Sequence, residues 1–400
     1  MRIAVFIKST TFHEGYGGLE TQSKALCEGL VSRGHDILVF SPQRELKFET
    51  KYLNGVKYHF IPCVFRLAKF GKNNWYYRSF FEFCHFHEEQ AFDLVVSQSS
   101  AGIGVIENKS KLKVPIVSIS HGTIIGELRT RFQAGFSTGE ILQLAKDTIF
   151  SLNVFFGRQR RFIHGSDFVV AVSSAVKKAL INETFIDKDK IYVVNNGIDP
   201  DKFNQSEQNN VSMPDIAKNS VLYVGQVTRP KGLETLFRLA QEPDFGGTSF
   251  HIVGDGDFLS ELQGEVKLAG ISGRFIFHGK LPYEQVLTFF QSPNMSLFVF
   301  PTKRYEGLPM VLVEAMFSGL PVVAYGVGGV SDVVLDRETG FLIKKDDYSS
   351  LKASVLKILN DSLLRRKLSQ QSKQFARENL TLGIMLDKYE EVFRKALSLK

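Results

Sequence analysis

At 400 residues, with 44% hydrophobic and 23% charged side chains, the chain exceeds what one hydrophobic core usually supports, and two domains are expected. Three cysteines, Cys27, Cys63 and Cys84, are too few and too scattered for a disulfide framework or a zinc site, so a reducing compartment is the simple reading. Nearly all of the net charge of +7 sits in the first 200 residues, where 25 Lys and Arg face 19 Asp and Glu, against 24 and 23 in the rest; no nucleic-acid-binding motif accompanies it.

The chain opens on an apolar run, Ile3 to Ile7, that Lys8 ends. This is far short of a signal-peptide core and reads as a first buried strand. No apolar stretch approaches the roughly 20 residues that span a bilayer, and a cytoplasmic protein is expected. Next, Tyr16-Gly17-Gly18-Leu19-Glu20 leads into a helix carrying Leu26, Leu30 and Val31. The glycine pair permits close backbone approach by a ligand and equally suits a tight turn. It is not a dinucleotide fingerprint, because Glu20 stands where a third glycine belongs.

Strands are expected at 36–40 and 56–61. Arg66, Lys69, Lys72 and Arg78 then stand among Phe65, Phe70, Trp75, Tyr76 and Tyr77. A second such patch is Arg158, Arg160 and Arg161 among Phe155, Phe156 and Phe162. Both suit the anionic inner face of a plasma membrane, and both also suit a core face backed by solvated cations.

Strands at 94–97 and 116–120 come next. The second ends on His121-Gly122, where a histidine can hydrogen-bond a sugar hydroxyl or serve only the fold. The long segment from Gly122 to Phe168, with Arg129, Arg131 and Arg158 to Arg161, carries no readable motif. Strands at 168–172 and 191–194 close a first series, and the polar stretch 204–219 reads as a linker.

A second series has strands at 221–224, 249–253, 275–277, 297–300 and 322–325. Strands alternating with helical segments in this way predict an α/β fold built on parallel sheets. After the first of these, Gly225 to Gly232 place Arg229 and Lys231 on a loop at a strand's carboxyl end, where open α/β sheets bind ligands. The spacing of a Walker loop is absent. Asp255-Gly256-Asp257 resembles a metal-binding pair, but its glycine-bounded setting after a strand reads as a turn, and no essential metal is expected.

Residues 297–319 form a strand, a polar loop and a helix. Pro309 suits the first helical turn and Gly319 the residue past the last. Gly307, Leu308, Pro309, Met310 and Val311 would present helix-terminal amides to a phosphate. Glu306 can accept hydrogen bonds from sugar hydroxyls and Glu314 from a ribose, the latter inside an otherwise apolar helix where an idle carboxylate is costly. Past Thr381 a helical pattern (Met385, Tyr389, Val392, Phe393, Leu397) is expected to return to the first domain.

In their order these motifs resemble the GT-B-fold retaining glycosyltransferases of group 1, family 4. The resemblance runs over essentially the whole chain: Gly17-Gly18 with Gly34-His35, His121-Gly122, Val172-Ser173, Asn196-Gly197-Ile198-Asp199, Gly225 with Lys231-Gly232, Gly254-Asp255-Gly256, His278-Gly279, Glu306 with Glu314, and Thr339-Gly340-Phe341. It implies two facing Rossmann-like domains. The first, 1–200 with 385–400, would bind the acceptor, and the second, 201–384, a nucleotide-diphosphate sugar.

By the same resemblance Arg229 and Lys231 hold the diphosphate, Glu306 and His121 the sugar, and Glu314 the ribose. The loops with Gly254 and Asp255 and with His278, Gly279 and Leu281 lie near the base, and no cofactor is required. A UDP-sugar is favoured over GDP-mannose, and a saccharide or lipid-linked saccharide is the expected acceptor. Many relatives carry an acid after the histidine where this chain has Gly122. An epimerase of the same fold and a non-catalytic nucleotide-sugar-binding protein are the alternative readings.

Overall fold

The computed structural model describes residues 1–13, 17–43, 47–63, 74–133, 148–149, 151–152, 154–205 and 216–399. The chain divides into two compact units. One comprises Met1–Leu128, Ser137–Asn196 and Leu382–Lys400, the other Arg129–Phe136 and Gly197–Thr381. The division at Asn196 precedes the polar stretch read as a linker, of which residues 206–215 lie outside the described residues.

The first unit holds β1 (Arg2–Phe6), β2 (Asp36–Gln43), β3 (Glu49–Leu53), β4 (Val56–Pro62), β5 (Leu94–Gln98), β6 (Ile116–Ser120), β7 (Phe168–Ala171) and β8 (Ile191–Val193). They form one sheet in the order β3-β4-β2-β1-β5-β6-β7-β8. Every pairing is parallel except β3 with β4. The strands of the sheet's centre are buried along nearly their full length, which is why they read as continuous apolar runs. The antiparallel edge strand β3 was not expected. Its turn, Asn54-Gly55, has positive φ at both residues (49° and 79°), as a two-residue hairpin turn requires.

The second unit holds β9 (Ser220–Val224), β10 (Ser249–Val253), β11 (Phe275–Gly279), β12 (Met295–Phe300), β13 (Val322–Tyr325) and β14 (Gly340–Ile343). All pair in parallel, in the order β11-β10-β9-β12-β13-β14. In each sheet the chain starts at an inner strand, moves outward, then returns to the other side of that strand. The reversal leaves a crevice at the carboxyl ends of β1 and β5 in one unit and of β9 and β12 in the other.

The last helix, Leu382–Leu397, belongs to the first unit. Met385, Leu386, Tyr389, Val392 and Phe393 form its buried face. Leu386 lies against Gly29 of the helix Gly18–Ser32. Glu390 receives Arg33 at 3.0 Å and His35 at 2.8 Å.

Candidate active site

In the second unit the loops that leave β9 and β12 meet at the crevice. The backbone amides of Lys303 and Arg304 donate to the Pro230 carbonyl at 2.9 and 3.0 Å, which ties the two loops together. Across this junction Lys231 Nζ lies 2.7 Å from Glu306 Oε1, and the two side chains are 13% and 14% exposed. Thr302 Oγ1 donates to the same oxygen at 3.1 Å. Glu306 Oε2 and two protons of the Lys231 ammonium are left without a hydrogen-bond partner among the described residues, the ammonium lying 5.6 Å from the centre of the Phe300 ring. A neutral, nearly desolvated pair can thus offer one acceptor and one cationic donor to a bound molecule.

Arg229, three residues past Gln226, does not join this pair. Its guanidinium binds Glu261 and stacks 4.6 Å over Phe258, and it is more than half exposed.

Glu306 is held from behind by the turn after β13. Gly329 N donates to the Glu306 carbonyl at 2.9 Å. Gly328 has φ 55°, and a Cβ there would stand 2.1 Å from that same oxygen, so both conformation and space exclude a side chain. Gly328→Ala is expected to displace the Glu306 loop and lower turnover at least about 10-fold, since a misplacement of about 1 Å can cost up to about 100-fold. Steady-state kinetics beside a melting curve decide this, and full turnover in a folded variant would show that the contact does not position Glu306. Val327-Gly328-Gly329 carries no motif of the resemblance, although a glycine pair after an apolar strand is itself a signal.

The loops after β9, β10 and β11 are joined by main-chain bonds. Gly225 N donates to Val253 O at 3.0 Å, Gly254 N to Gly279 O at 2.8 Å, and Val227 N to Asp255 O at 2.9 Å. Asp255 accepts from Gly256 N at 2.8 Å through its side chain, which makes it a turn residue in this structure. His278 is backed by a residue not anticipated from the sequence. His251, buried on β10, lies with Nδ1 3.0 Å from His278 Nε2, and the rings stack at 8°. Burial, reinforced by its neighbour, pushes the His251 pKa down to about 4, and burial lowers that of His278. The pair is therefore neutral near pH 7.

The helix Met310–Ser318 begins after Pro309, which occupies the N-cap, one position earlier than expected, and ends on Gly319 with φ 74°. Its first turn presents the Met310 and Val311 amides ahead of Leu312, whose amide donates to Pro309 O. Gly307 and Leu308 lie in the loop just before it. Glu314, fifth in the helix, is buried among Leu312, Val313, Ala315, Met316 and Phe317. Burial raises its pKa to about 7, opposed by the Tyr283 hydroxyl beside it. Tyr283, at the start of the helix Tyr283–Gln291, is a further site residue that sequence reading did not single out; Leu281 lies two residues before it, partly buried.

In the first unit His121 follows β6. Its Nε2 lies 2.7 Å from Oε1 of Gln98, the last residue of β5, and Gln98 Nε2 donates to Ser23 Oγ at 3.2 Å. The amide orientation makes His121 Nε2 the protonated nitrogen and leaves Nδ1 as an acceptor. Burial pushes the His121 pKa down to about 4, so the ring is uncharged. Gly17 caps the helix Gly18–Ser32 in an ordinary extended conformation (φ −137°), its amide donating to Glu20 at 2.9 Å. The glycine pair is thus a helix start here, and Glu20, which displaced the fingerprint glycine, is its capping partner.

Residues 16–202 match the family described as Glycosyltransferase Family 4, and residues 204–375 match Glycosyl transferases group 1. An uncharacterized glycosyltransferase of Methanocaldococcus jannaschii is 23% identical, the match covering 96% of each chain. A capsular polysaccharide biosynthesis glycosyltransferase of Staphylococcus aureus is 25% identical over 57% of this chain and 62% of its own. Among solved structures, sucrose-phosphate synthase from Thermosynechococcus elongatus superposes with a TM-score of 0.77 at 19% identity, covering all of both chains. An Anabaena protein, HepE, in complex with UDP and glucose, gives 0.71 at 17% identity, covering 99% of this chain and all of that one. Two units, each built on a largely parallel sheet with loops gathered at its own carboxyl edge, have the architecture of the GT-B fold. The chain belongs to the group 1 glycosyltransferases.

Proposed function

We propose that the protein transfers a hexosyl unit from a nucleotide-diphosphate sugar to a hydroxyl of a saccharide or lipid-linked saccharide, with retention at the anomeric carbon. The observation that carries this reading is the Lys231–Glu306 pair at the crevice of the second sheet. Lys231 neutralises the departing diphosphate, aided by the amides at the start of the helix Met310–Ser318, while Glu306 Oε2 accepts from hydroxyls of the sugar that moves. Arg229 joins the diphosphate on exchanging Glu261 for it.

Glu314 anchors the ribose, and the loops at Gly254–Asp255 and His278–Leu281 border the base. His121, neutral, offers Nδ1 to a saccharide hydroxyl. No side chain is cast as a nucleophile. The bond from the anomeric carbon to the diphosphate breaks, the acceptor oxygen bonds on the same face, and its proton passes to the leaving diphosphate.

A UDP-sugar is the donor in this reading, in keeping with the UDP complex of HepE. In a melting-curve panel, UDP and UDP-sugars are expected to raise the transition by several degrees and GDP and ADP compounds to leave it unmoved. A ligand at a hundred times its Kd stabilises a fold by about 2.7 kcal/mol. A chain that responds to no nucleotide, or that releases only a free epimer of the sugar, would overturn transfer.

The acceptor side of the proposal includes peripheral contact with an anionic membrane. No helix among the described residues is long and apolar enough to cross a bilayer. Of the two basic aromatic patches, Trp75, Phe155 and Phe162 are core, and residues 65 to 72 lie outside the described residues. Ile149, Leu152 and Phe156 are exposed at helical spacing beside the exposed Arg158 and Arg161, an arrangement suited to an interface. Co-sedimentation with anionic vesicles is expected at low salt and its loss near about 0.5 M salt. Absence of binding at low salt removes this part.

A further inference from the structure

The first sheet has its own reversal, between β1 and β5, and the mechanism proposed above uses only its neighbour β6, through His121. At that reversal stands Lys8, two residues past β1. Its Nζ lies 2.8 Å from Ser100 Oγ and 3.0 Å from Tyr76 Oη, and 5.2 Å from the centre of the Tyr76 ring. Lys8 is partly buried, yet among the described residues no carboxylate stands within ion-pair distance of it. The contrast with the second unit is direct, since Lys231, at the equivalent reversal, has Glu306. A partly desolvated ammonium that meets only hydroxyls lacks the counter-charge that ordinarily repays its burial.

The donor count gives the same sense. Two of the three ammonium protons go to Tyr76 Oη and Ser100 Oγ, which act there as acceptors. Their own hydroxyl protons, and the third proton of Lys8, are then free to point outward. Three donors converge and, among the described residues, no carboxylate accompanies them, a composition suited to an anion.

The surrounding structure holds the three groups in place. The buried Trp75 donates from Nε1 to Ala101 O at 2.8 Å, and Gly104 sits so close that a Cβ there would be 1.9 Å from Tyr76 O. These contacts lock the start of the helix Trp75–Glu89, and Tyr76 with it, onto the turn after β5. In that turn Ser99 has φ 50°, uncommon for a residue with a side chain. Ser97 Oγ braces it by donating to Ser99 O and accepting from Gly102 N, each at 2.8 Å. The turn aims Ser100 at Lys8, while Gln98, two residues earlier, holds His121.

We propose that Lys8, Tyr76 and Ser100 bind an anionic group, a carboxylate or a phosphate, carried by the saccharide acceptor. The inference rests on the reading of the protein as a transferase to a saccharide and names the chemical class of that acceptor. The negative charge is fixed at the carboxyl edge of β1 and β5, on the strand beside the one that carries His121, so it would orient the acceptor as well as retain it.

The test is calorimetric titration of the full-length protein, with UDP present, using methyl glucuronide, glucose 6-phosphate and methyl glucoside as probes. At least one of the two anions is expected to bind at least about 10-fold more tightly than the neutral glucoside, the scale of one charge-assisted hydrogen bond. Whichever anion it is separates a uronic acid from a phosphorylated sugar. Lys8→Met should abolish the preference and Lys8→Arg should keep it, with the affinity for UDP unchanged in both. Tyr76→Phe, which removes one donor and little volume, should weaken the anion alone and serves if Lys8→Met melts early.

Equal binding of all three probes, binding of none, or a preference that survives Lys8→Met would each overturn the proposal and make Lys8 a tie between β1 and the helix that follows Asn74. The two readings fail separately. A chain stabilised by UDP but indifferent to acceptor charge loses only this inference. A chain that prefers the anion through Lys8 but ignores every nucleotide loses the transferase reading.

Discussion

Glu306→Ala and Lys231→Ala are each expected to lower turnover at least about 100-fold with the chain still folded, the loss that follows removal of one preorganised charge stabiliser. The two variants fail for different reasons. Without Lys231, the Glu306 carboxylate keeps only Thr302 as a partner at Oε1, and its unbalanced charge would repel the diphosphate of the proposed donor. Donor affinity and turnover should both fall, and the melting temperature should drop because a largely desolvated charge loses its partner.

Without Glu306, the cation remains and nucleotide binding should persist. Turnover should fall because the sugar is no longer oriented. Glu306→Gln sharpens the distinction, since it keeps the volume and one acceptor while removing the charge that holds Lys231. Its donor affinity should stay within a few-fold of the parent while turnover follows the alanine variant. Single-turnover kinetics with separately measured nucleotide affinity provide the comparison. Near-normal turnover in either alanine variant would remove this pair from the chemistry.

Glu314→Gln should weaken UDP by at least about 10-fold, a charged hydrogen-bond acceptor being exchanged for a neutral one, and should abolish the pH dependence expected of the parent. Burial raises the Glu314 pKa to about 7, so the free protein carries a mixture of acid and carboxylate near neutrality. A ribose held through two hydroxyls selects the carboxylate. UDP affinity in the parent should therefore rise with pH through about 7 and level off above it, while the glutamine variant stays flat.

The stability of the free protein runs the opposite way. A carboxyl whose folded pKa lies above its unfolded value contributes stability in full below the unfolded pKa, and loses it as pH rises towards the folded pKa. The window here runs from the ordinary value of 4.5 to about 7. Above it, the ionised buried group costs on the order of 3 kcal/mol. Without nucleotide, the glutamine variant should melt above the parent at about pH 8, and the gap should close as pH falls to about 4. Titration calorimetry and melting curves across that range test both halves. A UDP affinity that is independent of pH in the parent would dissociate Glu314 from the ribose.

The strands were legible because burial on both faces leaves an uninterrupted apolar run, as in Ile3–Phe6, Val95–Val96 and Leu297–Phe300. Where that condition lapses, strands leave little trace in the sequence. The edge strand Glu49–Leu53 alternates in exposure and shows itself only through Asn54-Gly55. The short β14 starts on a glycine. The helix from Met310 was readable because proline and glycine bound it, and Glu314 stood out because a carboxylate in an apolar helix demands a reason. The supports of the site were harder to see. Gln98, His251, Tyr283 and Gly328 are ordinary residues in sequence, and each gains its meaning from a partner 22 to 31 positions away.

By itself, then, the sequence determined the alternation of strands and helices, the loops that follow them, and the residue types those loops carry, because each is set by neighbours a few positions apart. Only the tertiary structure decided which of the loops meet. The strand order reverses at β1 and at β9, and that reversal brings residue 231 to residue 306 and residue 8 to residue 100. Chain connectivity does not reveal this, since it depends on which strand edges pair. The pairing also separates two lysines that look alike in sequence. One is neutralised by a glutamate, and the other is left with hydroxyls and a charge to share.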